Sequence, residues 1–478
     1  MSMLTGDQSA ANAAVKRCVG CGMDVANLPR TKDGQGHYYC DPCAVARFGA
    51  VAAGTVAGPK PVLRLLAKIT CPHCWHVCRP EDVLWVSSHP DLMGDPVLGD
   101  DHPARFLPSR FTVGGQALDA RGMACHRTAC PRCHLRIPRE VVENHPLFVS
   151  VIGGPASGKS NFLAAMGWQL RQTLPSQFAL AWLDIDPEAN HLINGYEEQL
   201  FLTSDPDALT YIAKTEEQGD IYDVVKIGGQ STAFTRPFLF SLRPTPEHPH
   251  FHQAGKMARV LCLYDNAGES YLPGADSPSR PVTQHLGKAQ LILFLFDPTQ
   301  DPRMRAKCSP VSSDPQLKAG RKTVRQETLL SEAAGRLRRY SGLGPQDRID
   351  RPLLVLVSKS DIWAPLLDED IVTEPVVAAA GGGRAGLDVA RVERVSGKVR
   401  QLLLAVTPEI VATADAIAKN VVYVPVSSLG HAPEPHPNAE NLLAIRPRDI
   451  RPHWVTVPVL YALVRWTTTG MVPAAARG

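Results

Sequence analysis

One stretch of the sequence, residues 147–170, constrains the fold of this chain more than any other. Within it, Gly153 to Ser160 reads GGPASGKS, which matches the phosphate-loop pattern G-x-x-x-x-G-K-[ST]. A β-branched apolar run, Leu147 to Ile152, precedes the loop, and a stretch with helical spacing, Asn161 to Leu174, follows it. The pattern therefore predicts a buried parallel strand, a glycine-rich loop and a helix N-terminus, in that order.

A loop of this kind can bind a polyphosphate. Free backbone N–H groups and the positive end of the helix dipole together form an anion site. Gly153 and Gly158 let the backbone curl around phosphates, Lys159 can reach the outer phosphates, and the Ser160 hydroxyl can bind Mg²⁺. The alternative is a glycine turn with an accidental lysine, but the strand, loop and helix in register favour nucleotide binding.

Length and composition indicate an ordinary globular protein of two or three domains. The chain has 478 residues, 44% of them apolar, and a net charge of +3, so charge alone does not indicate nucleic acid or acidic membrane surfaces as partners. We find no apolar stretch long enough for a membrane helix and no apolar core of a signal peptide. We therefore expect a cytoplasmic protein with no membrane partner.

The first cysteine group has the spacing of a four-thiolate zinc site. Cys18 and Cys21 form one C-x-x-C pair, and after 18 intervening residues Cys40 and Cys43 form another. A bound zinc ion replaces the hydrophobic core that about 30 residues cannot build. A redox dithiol or free thiols are the alternatives, but a redox pair is expected near a βαβ pattern.

A second group predicts a second structural zinc ion. It consists of two C-P-x-C knuckles separated by 55 residues: Cys71, Cys74, Cys130 and Cys133. We interpret it as a zinc ribbon with an inserted, mostly irregular segment, residues 75–129. Four further residues beside the knuckles could complete another site: His76, Cys78, Cys125 and His126. We favour a simpler interpretation, because a lone cysteine is more often a small buried residue than a ligand.

These features predict four segments. We expect a disordered tail at 1–16, a first zinc ribbon and linker at 17–68, a second ribbon with its insertion at 69–145, and a nucleotide-binding domain with insertions at 146–478. Only 13 residues separate Cys133 from Leu147, so the second ribbon must sit close against the nucleotide domain. It is a candidate sensor or docking arm, although a structural lid would need the same spacing.

The remaining pattern predicts an α/β fold with a doubly wound, mainly parallel sheet. Apolar strand-like runs occur at 178–185, 238–243, 258–264, 289–296, 352–357 and 421–426. Helical stretches occur at 326–340, 389–419 and 455–466, whereas 186–235 shows no clear period and 366–386 looks exposed. In such a fold the site forms from loops at the C-terminal ends of the strands.

One of these strand ends carries a candidate metal ligand. The run ending at Tyr264 leads into Asp265, then Gly268 and Glu269. A carboxylate at the end of an apolar strand, in the same domain as a phosphate loop, is an expected outer-sphere Mg²⁺ partner, and Gly268 offers an N–H near the third phosphate.

In chain order, the motifs GGPASGKS, DNAGE, SKSD and SSLG resemble those of P-loop GTPases of the Ras and translation-factor class. The resemblance covers about residues 146–466 and implies GTP or GDP with Mg²⁺ as ligands. It implies that Gly153 to Asn161, including Ala156, Ser157, Gly158, Lys159 and Ser160, cradle the phosphates, while Asp265 and Gly268 sense the third one. It also implies that Lys359 packs on guanine, Asp361 reads it, and Ser358, Ser427 and Ser428 lie near the base.

More narrowly, the chain resembles the double-GTPase family of bacterial conflict and signalling systems. The paired zinc knuckles, the ACPRCHLRIP run at 129–138 and the DNAGE motif carry this resemblance. It implies protein partners such as a second GTPase, an AAA-type ATPase or a von Willebrand A-type module, in signalling or defence.

The chain departs from the GTPase pattern at three places. Glu269 stands where a water-orienting glutamine is usual, and its charge could act as a base or repel the phosphates. Ser358 stands where asparagine or threonine is usual. The Mg²⁺-sensing threonine of the first switch is not identified, since Thr215, Thr232 and Thr235 are all in range.

We therefore expect a GTP-binding switch that hydrolyses GTP, slowly, with Lys159, Gly268 and Glu269 as the catalytic candidates. A nucleotide-binding scaffold without hydrolysis is a second hypothesis. An ATP-driven nucleic-acid-binding protein is a third, but the ribbons carry few interleaved aromatic residues and no concentrated basic face. We do not expect nucleic acid as a partner.

Overall fold

The structure is a computed structural model that divides the chain into two compact units, Met1–Arg64 and Leu65–Gly478. It describes residues 16–26, 28, 30–33, 35–40, 42–44, 65–212, 221–266, 268–272, 283–318, 325–378, 384–437, 442–467 and 470–475, with Glu269 as backbone alone. The predicted tail therefore lies almost wholly outside the described residues. The boundary predicted between 145 and 146 falls inside the larger unit, so the second ribbon and the phosphate loop belong to one compact body.

The smaller unit is a short hairpin beside a cysteine knuckle. Strands β1 (Arg30–Lys32) and β2 (Tyr38–Cys40) pair antiparallel. Its small core consists of Cys18, Val25, Tyr39, Cys40 and Ala44. A core of five residues is too small to stabilise a fold alone, which is the usual situation of a metal-supported module.

A seven-stranded sheet organises the larger unit and confirms the predicted mostly parallel α/β architecture. Its strand order is β12-β15-β16-β11-β17-β18-β21. The strands are β11 (His145–Gly153), β12 (Leu180–Asp184), β15 (Phe238–Pro244), β16 (Arg259–Asp265), β17 (Leu291–Phe296), β18 (Leu353–Val357) and β21 (Val421–Pro425). Strands β16, β11, β17, β18 and β21 are parallel, and β15 pairs antiparallel with both β16 and β12.

Helices connect and cover these strands. They are α1 (Arg139–Glu143), α2 (Lys159–Thr173), α3 (His191–Phe201), α4 (Ala254–Met257), α5 (Pro302–Cys308), α6 (Gln326–Ser341), α7 (Ser360–Trp363), α8 (Val389–Val406), α9 (Pro408–Ile417) and α10 (Val457–Arg465). The helical stretch predicted at 389–419 is thus two helices, because Pro408 cannot continue α8 and instead begins α9. Within the described ranges no helix has the length and apolarity needed to cross a bilayer.

Segment 75–129 is more ordered than the sequence predicted. The ribbon region contains β3 (Ile69–Thr70), β4 (Val77–Cys78), β5 (Leu84–Val86), β6 (Met93–Asp95), β7 (Gly99–Pro103), β8 (Arg105–Phe106), β9 (Thr128–Ala129) and β10 (Arg136–Ile137). Four of them form a sheet in the order β10-β9-β5-β8. Strands of two or three residues are too short to show the alternation by which a strand is recognised.

Two other segments also differ from the sequence-based expectation. Residues 186–235, which showed no period, contain α3 and an antiparallel hairpin of β13 (Tyr222–Ile227) and β14 (Gln230–Thr235). The segment expected to be exposed, 366–386, buries Ile371 and contributes to a small pair, β19 (Val376–Val377) with β20 (Gly386–Leu387). A further small pair is β22 (Glu434–Pro435) with β23 (Leu443–Ala444).

The two faces of strands β15, β16 and β11 pack against different material. Side chains alternate between faces along a strand. In β16, Leu261 and Leu263 join the large core that contains the helices, whereas Val260, Cys262 and Tyr264 join a second core with the zinc knuckles. The second ribbon therefore covers the part of the sheet face on which a doubly wound fold would carry a helix.

Candidate functional site

The phosphate loop lies between β11 and α2, as the sequence predicted from its flanks. Gly158 has a φ of +91°, which favours glycine, and Ala156 also has a positive φ of +56°. A side chain at Gly153 would bring its Cβ to 2.9 Å from the Ser157 hydroxyl and 3.2 Å from Leu295. The loop is therefore tightly wound onto the end of the central strand.

Lys159, the first residue of α2, reaches back to the start of the phosphate loop. Its side chain is buried, and its Nζ donates to the backbone oxygens of Gly153 at 3.1 Å and Gly154 at 3.3 Å. Ser157 is also buried, and its hydroxyl has no hydrogen-bond partner among the described residues. Ser160 lies in the first turn of α2 and is partly buried.

Asp265 ends β16 as a buried carboxylate with an unsatisfied oxygen. Its residue exposure is 5%, and Oδ1 has no hydrogen-bond partner in the described part of the chain. Burial raises the pKa of Asp265 to about 6, against the opposing effect of the Lys159 charge. A desolvated carboxylate that lacks partners is the kind of oxygen ligand that Mg²⁺ and its bound water require, so these residues fit the ion.

Gly268 packs its backbone directly on the phosphate loop. A Cβ at this position would lie 2.4 Å from Pro155 N and 2.6 Å from the Gly154 carbonyl carbon, a distance that no side chain tolerates. Glu269 follows in the same 3₁₀ turn, Gly268–Tyr271, and its side chain lies outside the described residues. The catalytic roles predicted for Lys159, Gly268 and Glu269 stay predictions.

A buried arginine holds the segment after this turn. Arg336 of α6 is fully buried, and its guanidinium donates to the backbone oxygens of Ser270 and Leu272 and pairs with Glu332 at 3.0 Å. Nothing in the sequence marks Arg336 as buried, because an arginine in an amphipathic helix is usually part of the solvated face. It ties the position of residues 270–272 to α6.

A cavity of about 230 Å³ lies where three strand-end loops meet. Its lining includes nine of the residues selected from the sequence: Ala156, Ser157, Gly158, Asn161, Ser358, Lys359, Asp361, Ser427 and Ser428. These residues come from the ends of β11, β18 and β21, which are neighbours through β17 in the sheet. The carboxyl ends of parallel strands share one sheet edge, which is why motifs so distant in sequence meet there.

At one end of the cavity, Ser427 orients Asp361. The buried Ser427 hydroxyl accepts from Gly430 N at 2.8 Å and donates to Asp361 Oδ1. Ser427 therefore fixes the orientation of the Asp361 carboxylate. Its other oxygen, Oδ2, has no hydrogen-bond partner among the described residues. Ser358 is buried, and its hydroxyl likewise lacks a partner there.

Lys359 is held in an unusual conformation beside Asp361. Its φ is +52°, and its Nζ donates to Asp297 Oδ2 at 2.7 Å and to the Thr299 hydroxyl at 2.9 Å. Asp297 follows β17 and was not selected from the sequence. The ion pair fixes the ammonium group and leaves the lysine among the cavity-lining residues.

The opposite wall of the cavity comes from segments that showed no motif. Thr210 and Ile445 exchange two backbone hydrogen bonds of 2.9 Å and join the chain after α3 to the chain after β23. The additional lining residues are Leu200, Thr210, Tyr211, Ile212, Gln316, Leu429, His431, Pro433 and Leu442 to Ile445. A pairing between such distant, irregular segments leaves no periodic signal in the sequence.

The three threonine candidates have different environments. Thr215 lies outside the described residues. Thr232 pairs opposite Val225 in the β13–β14 hairpin, and Thr235 is fully buried and donates to Asn266 Oδ1 at 2.7 Å. Thr235 thus contacts the residue next to Asp265.

The eight selected cysteines form two groups with the geometry of zinc sites. In each group the four Sγ atoms lie within 4.8 Å of one another. Sulfurs at ~2.3 Å from a tetrahedral zinc ion stand ~3.8 Å apart. The measured Sγ–Sγ distances of 3.6 Å for Cys18–Cys40 and 3.8 Å for Cys71–Cys133 agree with that value.

Local backbone geometry supports both groups. At Gly20, a side chain would bring its Cβ to 2.8 Å from Cys43 Sγ. Backbone N–H groups donate to Cys18, Cys71 and Cys130 sulfurs at 3.2–3.4 Å, which favours the thiolate form that binds zinc. Cys78 and Cys125 are buried outside these groups, and the exposed His126 contacts Gln116.

Comparison with known proteins gives one relative in sequence, and no family model matches the chain. The putative ESX-1 scaffolding and assembly protein SaeC of Mycolicibacterium smegmatis (strain ATCC 700084 / mc(2)155) is 23% identical over 436 residues, covering 84% of this chain and 98% of that protein. An identity this low does not establish a shared family, and the narrower double-GTPase resemblance stays a prediction.

Solved structures with partial similarity include three that hold a guanine nucleotide. Sup35 complexed with GDP is 13% identical with a TM-score of 0.21, covering 60% of this chain and 38% of that chain. A single-residue variant of Era from Aquifex aeolicus bound to GDP.AlF4- is 13% identical with a TM-score of 0.21, covering 62% and 60%. The Ski7 GTPase-like domain of S. cerevisiae bound to GTP is 13% identical with a TM-score of 0.23, covering 61% and 47%. The chain spans less than two thirds of each of these structures.

We expect two zinc ions per chain. Cys43→Ser and Cys74→Ser should each remove one ion, because a serine hydroxyl does not replace a thiolate ligand. Cys74→Ser should also lower the unfolding midpoint of the larger unit, since its zinc group lies in a core shared with the sheet. Metal analysis by mass spectrometry and thermal unfolding measure these effects, with Cys308→Ala as the control that keeps two ions. Folded wild-type protein without zinc would contradict the expectation.

We expect the contribution of Asp265 to the stability of the nucleotide-free protein to fall as pH rises from 4 to 6. Asp265 binds a proton more tightly when folded, with a pKa of about 6, than when unfolded, at 3.8. Folded protein therefore holds an extra proton in this window, and ionising the buried carboxylate costs roughly 3 kcal/mol of unfolding free energy. Asp265→Asn has no ionisable group at this position. The unfolding free energy of the variant, relative to that of wild type, should therefore increase by roughly 3 kcal/mol between pH 4 and 6. Urea unfolding measures the difference, and the exposed Asp101→Asn serves as control; a difference independent of pH would refute the expectation.

Proposed function

We propose that this chain is a guanine-nucleotide switch that binds GTP in the cavity, hydrolyses it slowly and signals its nucleotide state to protein partners. The observation that carries the proposal is the convergence of the phosphate loop, Asp361 and Ser427 on one cavity. A phosphate-binding loop and an acceptor-only carboxylate in the lining of one cavity suit the phosphates and the base of a nucleotide whose base carries donor groups.

The phosphate end supports binding of a triphosphate. The N-terminus of α2, a helix of 15 residues, directs backbone N–H groups and the positive end of its dipole to the loop, and Lys159 supplies a buried cation. A Mg²⁺ ion held by Ser160 and Asp265 would neutralise phosphate charge. Gly268 already contacts the loop through its backbone, so its N–H is close to the site of the outermost phosphate.

The base end supports guanine over adenine. Guanine presents two adjacent donors, the ring N1–H and the 2-amino group, whereas adenine presents no such pair. Asp361 lines the cavity, and Ser427 orients one of its two carboxylate oxygens. A carboxylate fixed in this way can accept hydrogen bonds from guanine without reorienting.

A scaffolding role is the second candidate, and one finding favours it. The sequence relative that covers 84% of this chain is named as a scaffolding and assembly protein. We propose accordingly that the partners are components of a protein assembly, among which a second GTPase, an AAA-type ATPase or a von Willebrand A-type module are candidates. If Glu269 repels the third phosphate and hydrolysis is absent, the chain would act as a nucleotide-stabilised scaffold.

Asp361→Asn should invert the preference between guanosine and xanthosine triphosphates. The amide oxygen of the variant should keep the Ser427 hydrogen bond, so its NH₂ group replaces Oδ2 and faces the 2-amino group of guanine. An unmade buried hydrogen bond costs about 1.5–3 kcal/mol, roughly tenfold to over a hundredfold in affinity. Xanthine carries an oxygen at that position and should bind the variant better.

Competition against a labelled nucleotide measures this inversion, and a panel of ATP, GTP, CTP and UTP with Mg²⁺ gives the wild-type preference. Asp350→Asn, on an exposed residue paired with Lys419, is the matched control and should change nothing. If Asp361→Asn lost affinity equally for guanosine and xanthosine triphosphates, or lost affinity for neither, the assignment of the base site would be wrong.

Glu269→Gln separates the switch from the scaffold. If the carboxylate repels the third phosphate, single-turnover hydrolysis should rise in the variant; if it is the base, hydrolysis should fall with binding intact. Phosphate release measured under single-turnover conditions reports both outcomes. An unchanged rate would show that Glu269 has no catalytic role.

A further inference from the structure

Tyr264 joins the second zinc ribbon to the strand end that carries Asp265. It immediately precedes Asp265 in β16 and is fully buried. Its hydroxyl donates to Pro72 O and accepts from Trp75 Nε1 at 3.1 Å. Pro72 lies between two zinc-ligand candidates, and Trp75 follows the second of them, so the knuckle itself holds the tyrosine.

The ring of Tyr264 is connected through His285 to Asn266, the residue after Asp265. Its ring stacks on His285 with centroids 4.8 Å apart and planes 8° apart. His285 Nε2 lies 2.9 Å from Asn266 Nδ2, and its Nδ1 lies 2.7 Å from the Ser150 hydroxyl. Burial lowers the pKa of His285 to about 3, so the ring is neutral, accepts from Asn266 and donates to Ser150.

A second connection reaches the β13–β14 hairpin. His73 of the same knuckle pairs with Asp223 of β13 at 3.4 Å, and Asp223 pairs with Arg236 at 2.8 Å. Trp75 also meets Phe234 of β14 edge to face, with ring centroids 5.8 Å apart. The hairpin leads into β15, which pairs with β16, so the knuckle contacts both the strand that carries the candidate metal ligand and the hairpin that precedes the neighbouring strand.

We propose that Tyr264 is a positioning residue for Asp265 and Asn266, and that Pro72 and Trp75 of the second zinc ribbon hold it in place. Zinc fixes the knuckle, the knuckle fixes the Tyr264 hydroxyl, and the ring fixes the segment from which Asp265 faces the phosphate loop. Zinc occupancy of the second ribbon and affinity for the Mg²⁺–nucleotide complex are therefore coupled. This inference rests on the proposed nucleotide site.

Coupling between two binding sites is reciprocal. If zinc strengthens nucleotide binding by some factor, bound nucleotide strengthens zinc binding by the same factor. Couplings through packed networks commonly amount to about 5-fold to 150-fold. The effect of nucleotide on zinc binding is measured as zinc release and needs no catalytic turnover.

The experiment uses the full-length protein with a non-hydrolysable GTP analogue. Zinc release to a colorimetric chelator is followed with and without analogue and Mg²⁺, in wild type and in Cys43→Ser, which retains only the second ion. Nucleotide should slow release from the second site about 5-fold or more. Removal of that ion should weaken analogue binding by a similar factor.

Tyr264→Phe tests the path of the coupling. It removes the hydroxyl that bonds Pro72 and Trp75 but keeps the ring that stacks on His285, so the fold should survive. In this variant, the factor by which nucleotide slows zinc release and the factor by which zinc strengthens analogue binding should both approach 1, while the protein still binds two zinc ions. Tyr423→Phe is the matched control: it removes a buried tyrosine hydroxyl from β21, which is separated from β11 by β17 and β18 in the sheet, and its loss should leave the coupling intact.

The outcomes separate this inference from the function on which it rests. Tight analogue binding with zinc release unaffected by nucleotide would overturn the coupling and leave the nucleotide site standing. Coupling that persists unchanged in Tyr264→Phe would overturn the role of Tyr264. Absence of guanine-nucleotide binding in fully zinc-loaded wild type would reject the proposed function itself.

Discussion

The structure of the larger unit depends on covering one apolar face of its sheet. Along β11, β15 and β16 this face carries Phe148, Leu239, Val260, Cys262 and Tyr264. Fully burying a large apolar side chain stabilises a fold by about 1.5–3 kcal/mol, so leaving five of them in water would offset most of the stability of a domain. The zinc knuckles and the β13–β14 hairpin provide the cover that a crossover helix provides elsewhere in the sheet.

This arrangement explains why the ribbon and the phosphate loop are one body. A ribbon of short strands has little core of its own, and the apolar sheet face shares one core with the ribbon, so each buries the apolar side chains of the other. Trp75 takes a positive φ of +55°, a strained backbone conformation for a tryptophan, and its indole N–H bonds Tyr264. The knuckle is shaped to fit the sheet as well as to bind metal.

The sequence predicted best where one short segment contained the whole signal. The unbroken run at 289–296 predicted β17 to within two residues, because a buried parallel strand needs no partner to be recognised. The phosphate loop and each C-x-x-C knuckle were equally local, since chemistry dictates the spacing within them. The strand-end motifs fell on one cavity because parallel topology gathers strand ends at one edge.

The sequence predicted least where a contact joins distant segments without a repeating pattern. Nothing local marks Thr210 and Ile445 as partners, or Asp297 as the acid that holds Lys359. The strands of the ribbon insertion were missed for a different reason, since most of them have only two or three residues and are too short to show a repeated alternation. Backbone proximity such as that of Gly268 to the loop also leaves no trace except the glycine itself.

The buried Arg336 has a consequence for how the segment after Gly268 can move. Its buried guanidinium bonds the backbone oxygens of Ser270 and Leu272. A displacement of this segment would break both bonds together, and the unpaired buried donor that remains is costly. Intermediate positions are therefore disfavoured, and residues 270–272 should behave as a latch with a closed state and a fully released state.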